Sequence, residues 1–270
     1  MRPHTAEFKR VVWDYYKKRK RDFPWRRRRN PYKVLVSEIM LQQTQVGRVV
    51  EKYKEFFKKF PNLQSLAQAR VGDVLTAWQG LGYNRRALML KKLSEIVAVQ
   101  YGGELPQDFE KLIELPGIGP STAGGVMAFA FNKPVVFIET NIRRAYIHFF
   151  FKNAEKVHDK KLIPLIEATL DRKNPREWYW ALMDYGAMLG TLEHNPNKRS
   201  AHYALQSKFK GSNREVRGSI LKFLIAKKRV NVETIEKLLP FPAARIEKAL
   251  GGLARDGFLI KRKNVYHLST

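Results

Sequence analysis

Apolar residues recur at three- and four-residue intervals along most of the chain. From Val46, the positions Val46, Val49, Val50, Tyr53, Phe56, Phe57 and Phe60 form one stripe, which predicts a helix with a single buried face ended by Pro61. Residues 88–99 carry similar spacing, and residues 112–115 predict a short helix running into a Pro-Gly turn. Further on, Ile220, Leu221 and Leu224 mark one helix, Ile235, Leu238 and Leu239 a second, and Ile246, Leu250 and Leu253 a third. After Asp256-Gly257 the pattern changes to short strands at 258–260 and 265–268, joined by Lys261-Arg262-Lys263-Asn264. The expected fold class is therefore mainly α, with a large helical body over residues 1–210 and a small module over residues 213–270.

Composition narrows the partners. The 270 residues are 44% hydrophobic, enough to bury a full core and to make one large domain plus a small one. Against 25 acidic residues stand 51 Lys and Arg, a net charge of +26 that draws a polyanion from a distance and makes affinity fall steeply with salt. A basic ribosomal-type protein would carry the same charge. The densest runs, 17–21 and 26–29, fit a solvated basic face as well as a specific contact. No apolar run approaches the roughly 18 residues that cross a bilayer, and residues 1–10 lack the apolar centre of a secretion signal, so a soluble, cytoplasmic protein is expected. With no cysteine, disulfides, thiolate zinc sites and thiolate-bound iron–sulfur clusters are excluded.

Two short runs carry candidate chemistry. In Leu-Pro-Gly-Ile-Gly-Pro-Ser-Thr-Ala at 115–123, Pro116 ends a helix, and Gly117 and Gly119 permit a tight turn that lets backbone approach a ligand. The next helix starts at Pro120, and its free N–H groups with the positive end of its dipole make a site for a phosphate oxygen. A plain helix-to-helix turn uses the same residues. In Ser-Glu-Ile-Met-Leu-Gln-Gln-Thr-Gln-Val at 37–46, Glu38 stands in an otherwise uncharged helix between Val34, Leu35, Ile39, Met40 and Leu41. Such surroundings disfavour the carboxylate and predict an acid that keeps its proton near neutrality. The structural alternative is a glutamate satisfied by a backbone amide or by an arginine such as Arg26.

Over residues 22–184 the chain resembles the helix-hairpin-helix base-excision DNA glycosylases (HhH-GPD), and most of all their A/G-specific adenine glycosylase branch, MutY. The resemblance rests on seven motifs in order: Phe-Pro-Trp-Arg at 23–26, Asn-Pro-Tyr-Lys-Val at 30–34, the Glu38 run, Phe-Pro-Asn-Leu-Gln-Ser-Leu-Ala at 60–67, Gly-Leu-Gly-Tyr at 80–83, the hairpin, and Met-Asp-Tyr-Gly-Ala-Met at 183–188. It implies two all-helical lobes, residues 30–135 and residues 1–29 with 136–210, and a flipped base in double-stranded DNA bearing a mismatch or damaged base. By the same resemblance Glu38 protonates adenine N7, Gln43 and Tyr83 wedge into the duplex with Gln42 as neighbour, and Trp25 and Arg26 belong to the base pocket. Leu115, Gly117, Gly119 and Ser121 form the DNA-gripping hairpin, where a monovalent cation can sit on the carbonyls. The second acid of the family is an aspartate in Asp-Gly-Asn-Val that faces the sugar and stabilises the oxocarbenium ion. Here Glu139-Thr140-Asn141-Ile142 stands in that place, with the acid lengthened by about 1.5 Å. Asn141 is expected to cap or brace the following helix, and Arg143 and Arg144 to contact phosphate or lie in solvent.

Four departures from the family shape the expectation. Most relatives place a four-cysteine cluster after the segment matching 183–188; Gly190, Ser200, Tyr203 and Phe209 fall at those positions, so residues 189–209 must be held by ordinary packing. Bifunctional members carry a lysine where this chain has Ser121, so no amine is in place for Schiff-base chemistry and base removal without strand cleavage is expected. Adenine glycosylases usually end in a β-rich reader of 8-oxoguanine, whereas residues 213–270 resemble a winged helix-turn-helix whose basic turn suits a non-specific duplex contact or a protein-docking role. Asn84 replaces a second tyrosine and is similar to the mismatch thymine glycosylases. Three readings follow: an adenine glycosylase acting opposite G or 8-oxoguanine, a thymine or uracil mismatch glycosylase, and a non-catalytic DNA-binding protein on the same fold. Monomer is the default for such proteins.

Overall fold

The computed structural model describes residues 3–27 and 29–269, so Arg28 of the 26–29 basic run and the first two residues of the 1–10 segment lie outside the described residues. In chain order the helices are α1 (Pro3–Arg19), α2 (Pro24–Arg27), α3 (Pro31–Leu41), α4 (Val46–Lys59), α5 (Leu63–Ala67), α6 (Val71–Trp78), α7 (Arg85–Gln100), α8 (Phe109–Ile113), α9 (Pro120–Phe129), α10 (Thr140–Phe150), α11 (Asp159–Thr169), α12 (Pro175–Leu189), α13 (Asn213–Lys227), α14 (Val232–Leu238) and α15 (Ala243–Arg255). A 3-10 helix (Pro196–Arg199) and three strands, β1 (Arg229–Asn231), β2 (Leu259–Arg262) and β3 (Val265–Leu268), complete the secondary structure among the described residues. None of these helices is long and apolar enough to cross a membrane.

The chain folds into two compact units, residues 1–38, 106–114 and 118–205 in the first and 39–105, 115–117 and 206–270 in the second. The first is built on α10 and α12, with α1 laid over α12. Phe8 of α1 enters an aromatic cluster, its ring 4.7 Å from Tyr146 and 6.2 Å edge-on from Trp178. All three side chains are fully buried, and each aromatic pair adds about 0.5–1.5 kcal/mol to the gain from removing its area from water.

The second unit contains the striped helix. Val49, Tyr53 and Phe56 of α4 face inward, and Phe56 meets Trp78 of α6 edge to face at 5.8 Å. The stripe stops where predicted, with Phe60 as C-cap ahead of Pro61. Asn62 and Ser65 then form a reciprocal capping box that starts α5. Residues 206–270 belong to this same unit, and α13 packs on α6. Their three predicted helices are present, but the hairpin is shifted: the first strand begins at Leu259 and extends to Arg262, leaving Lys263 at φ +53 in the turn. A short strand the sequence pattern does not predict, β1, pairs with β3 to give a sheet of order β1-β3-β2. Ser212 and Asn231 accept from the amides of Glu215 and Thr234 and so fix the starts of α13 and α14.

Candidate active site

Glu38 lies in the last turns of α3, among buried neighbours Leu35, Val36, Ile39 and Met40. The residue is half-buried. Its carboxyl rests against α9: a Cβ on Gly125 would come within 2.4 Å of Glu38 Oε2, so only glycine leaves room for the acid there. Burial, and the negative charge of Glu139, push this carboxyl from 4.5 up to about 8 against the pull of Arg26. Glu38 is therefore protonated at neutral pH, and the charge of Glu139 acts on it within the same unit.

Glu139 is the N-cap of α10. One carboxylate oxygen accepts from the amides of Asn141 (2.7 Å) and Ile142 (2.8 Å), and the other from Asn141 Nδ2 at 3.2 Å. Capping thus falls to the acid, and Asn141 braces it instead of doing the capping. Burial pushes the Glu139 carboxyl up, while the two amides, Arg144 and Arg143 pull it down. The net shift of Glu139 is still upward, because burial outweighs these stabilisers, and the charge it places on Glu38 makes Glu139 the first of the two to give up its proton. Two acids that release their protons in turn, Glu139 first and Glu38 last, match the division of labour that glycosidic cleavage needs.

Arg26 does not satisfy Glu38. Its guanidinium forks onto Asp184 at 2.8 Å through both terminal nitrogens, and Arg21 adds Nε at 2.6 Å to the same carboxylate. Burial alone would raise Asp184, but the Arg26 hydrogen bonds hold it below the usual carboxylate range. Two members of the predicted basic runs are therefore structural cations. Trp25 is buried, with its ring stacked on Phe23 at 4.9 Å.

The hairpin follows the predicted turn. Gly117 has φ +82, and a Cβ there would meet Met89 Cβ at 2.8 Å, so both conformation and space require glycine. Leu115 is buried, Gly119 is the N-cap of α9, and Ser121 is exposed in its first turn.

Gln43 and Tyr83, with Gln42, belong to the second unit. Gln43 at φ +51 and Tyr83 at φ +46 both hold left-handed backbone that residues with a side chain rarely adopt. The sequence reading missed the group that ties their loops together. Arg86 donates to the carbonyls of Ile39 (2.7 Å), Met40 (3.0 Å) and Gln42 (2.5 Å) through Nη1, and to Leu81 (3.2 Å), Gly82 (3.0 Å) and Thr44 Oγ1 (2.9 Å) through Nη2. Burial lowers its guanidinium to about 10, still a cation at neutral pH. Arg86 thereby closes the end of α3 onto the Gly-Leu-Gly loop. Its only sequence signal is an arginine following that loop.

Arg143 and Arg144 are both engaged within the protein. Arg143 forks onto Asp159 with two bonds of 2.7 Å. Arg144 donates to Asn141 Oδ1 (2.9 Å), Gly186 O (2.7 Å) and Asn195 Oδ1 (3.0 Å), which joins residue 195 to the brace of Glu139. The residues at the cluster positions do not fit an iron–sulfur group. None is a thiol, and a Cβ on Gly190 would collide with the Arg144 guanidinium at 2.4 Å. Residues 189–203 are held by more than apolar packing: Asn197 Nδ2 donates to Thr140 O at 3.0 Å, and Val157 and Ser200 form a bridge.

Residues 36–165 match the family described as the HhH-GPD superfamily of base excision DNA repair proteins. An adenine DNA glycosylase of Buchnera aphidicola (subsp. Baizongia pistaciae) is 36% identical over 194 residues, 71% of this chain and 55% of that one. A thymine/uracil-DNA glycosylase of Methanothermobacter thermautotrophicus is 30% identical over 185 residues, 67% of this chain and 84% of that one. Among solved structures, a thermostable thymine-DNA glycosylase superposes with a TM-score of 0.65 at 28% identity, covering 73% of this chain and 92% of the other. An endonuclease III in non-covalent complex with DNA matches in fold, with a TM-score of 0.60 at 18% identity over 70% of this chain and 89% of its own. The chain spans about half the length of the Buchnera adenine glycosylases it matches.

Proposed function

The chain belongs to the HhH-GPD superfamily of base excision DNA repair proteins, and on that premise we propose that it is a monofunctional DNA glycosylase that extrudes and hydrolytically removes adenine mispaired with G or 8-oxoguanine. The observation that carries the proposal is the pair of acids in one unit: Glu38, set against Gly125 with its carboxyl pushed up to about 8, and Glu139, held by the first amides of α10. Glu38 delivers its proton to the base, making it a better leaving group, and the Glu139 carboxylate faces the positive charge that grows on the sugar and directs water to it. Gln43 and Tyr83 fill the gap the base leaves, and Trp25 and Arg26 line the pocket that receives it. The amides at the start of α9, with Leu115, Gly117, Gly119 and Ser121, take a DNA phosphate, and a monovalent cation on the hairpin carbonyls belongs to the same grip. Because Ser121 offers no amine, the product is an abasic site in an uncut strand. Residues 213–270 act as a winged-helix-like duplex contact, and the enzyme works as a monomer on chromosomal DNA in the cytoplasm.

Asn84 favours a second reading, removal of thymine or uracil from mismatches, and a relative named for that activity shares 30% identity with this chain. End-labelled duplexes containing A:8-oxoG, A:G, T:G and U:G, treated with protein and then alkali, separate the two. Breakage at the adenine supports the first, breakage confined to T:G or U:G establishes the second, and no breakage on any duplex defeats both.

A further inference from the structure

Tyr83 is gripped by residues from the far end of the chain. Its phenol oxygen accepts from Arg214 Nη1 at 2.7 Å and from Gln206 Nε2. Two guanidinium groups lie over its ring, Arg86 with its central carbon 5.6 Å from the centroid and Arg214 at 5.2 Å. Arg214 is itself anchored, donating through Nη2 to Ser207 O at 2.5 Å and Ser207 Oγ at 3.1 Å. The segment that supplies these groups is fixed in the second unit: α13 packs on α6, and a Cβ on Gly72 would touch Leu268 Cδ1 at 3.1 Å. Neither Gln206 nor Arg214 lies in the stretch 36–165 that defines the family, whereas Tyr83 does.

We propose that Arg214, assisted by Gln206, is a positioning residue that holds Tyr83 ready to enter the duplex, which makes the C-terminal segment a working part of base extrusion. The inference rests on the glycosylase reading above. Opening a base step costs a few kcal/mol, and a tyrosine that had to be ordered at that moment would add the loss of its own rotamer freedom. Tyr83 is ordered beforehand, with left-handed backbone, two cations over its ring and a hydroxyl that accepts twice. That double acceptance leaves the phenol proton to be donated outward, toward an acceptor on DNA.

The test is a double-mutant cycle read by 2-aminopurine placed beside the target base, whose fluorescence rises when the step is opened, with excision followed in parallel at saturating protein. Tyr83→Phe, which removes only the hydroxyl, and Arg214→Ala should each slow opening about tenfold, the worth of one charge-assisted hydrogen bond. The double variant should be no slower than either single one, and Arg214→Lys should recover part of the loss. Opening by Arg214→Ala at the wild-type rate, or losses that multiply in the double variant, would overturn the proposal. Wild-type opening that depends on Arg214 without excision of any base would sustain this inference while defeating the proposed chemistry.

Discussion

Replacing Glu38 by glutamine should abolish excision and at the same time stabilise the protein, by an amount that depends on pH in a defined direction. The carboxyl ordinarily titrates at 4.5 and is pushed up to about 8 in the folded chain. At about 1.36 kcal/mol per pH unit, that difference corresponds to roughly 5 kcal/mol of preference for the neutral form. The residue is only half-buried, and solvent screening reduces this to about 2 kcal/mol. An acid whose folded value is raised binds its proton more tightly when folded. Wild-type stability is therefore complete below about 4.5, declines as pH rises toward 8, and is level beyond. Glutamine cannot ionise and escapes that decline. Urea or thermal unfolding across pH 4 to 9 should show Glu38→Gln equal to wild type at pH 4 and more stable at pH 8.5, with a melting temperature higher by about 4–8 °C. The alkali-cleavage assay should show no base removal at any pH. A stability gap that is the same at both ends of the range, or a glutamine variant that is the less stable at pH 8.5, would refute the claim that desolvation holds this acid neutral.

Gly125→Ala should cut excision about a hundredfold or more in single-turnover assays, because the new methyl displaces the Glu38 carboxyl it meets at 2.4 Å; retained activity would mean that the acid is not needed where it sits. Glu139→Asp keeps a good N-cap and should retain or raise the excision rate, whereas Glu139→Ala should lose both activity and about 1 kcal/mol of stability in urea unfolding. Asp184→Asn leaves the buried Arg26 without its charge partner and should cost about 3 kcal/mol by the same measurement, with less than 1 kcal/mol counting against the fork as a structural element. In wild type, excision should fall as pH rises through about 8, where Glu38 gives up its proton.

The features legible in the sequence are those set by near neighbours in the chain. The stripe from Val46 gives α4, the Pro-Gly run gives the hairpin turn, and the apolar setting of Glu38 gives its protonation. Features that depend on distant pairing escape a linear reading. The strand β1 has three residues and exists because β3 lies beside it. Gly125 reads as one small residue in an apolar helix, and only the packing of α3 on α9 shows that it makes room for an acid. Arg21 and Arg26 read as part of a basic surface because their partner, Asp184, comes more than 150 residues later. Asn141 reads as a cap from its residue type, but the cap position belongs to the longer acid two residues before it.

The guanidinium of Arg144 occupies the space a side chain at position 190 would need, and it fastens residue 195 to Asn141, the brace of Glu139. Maturation of this chain then requires no metallocluster assembly machinery, and peroxide or nitric oxide has no thiolate-bound inorganic centre to strip from it. Under the proposed function, iron starvation or oxidative stress would leave base removal by this chain without a cluster to lose.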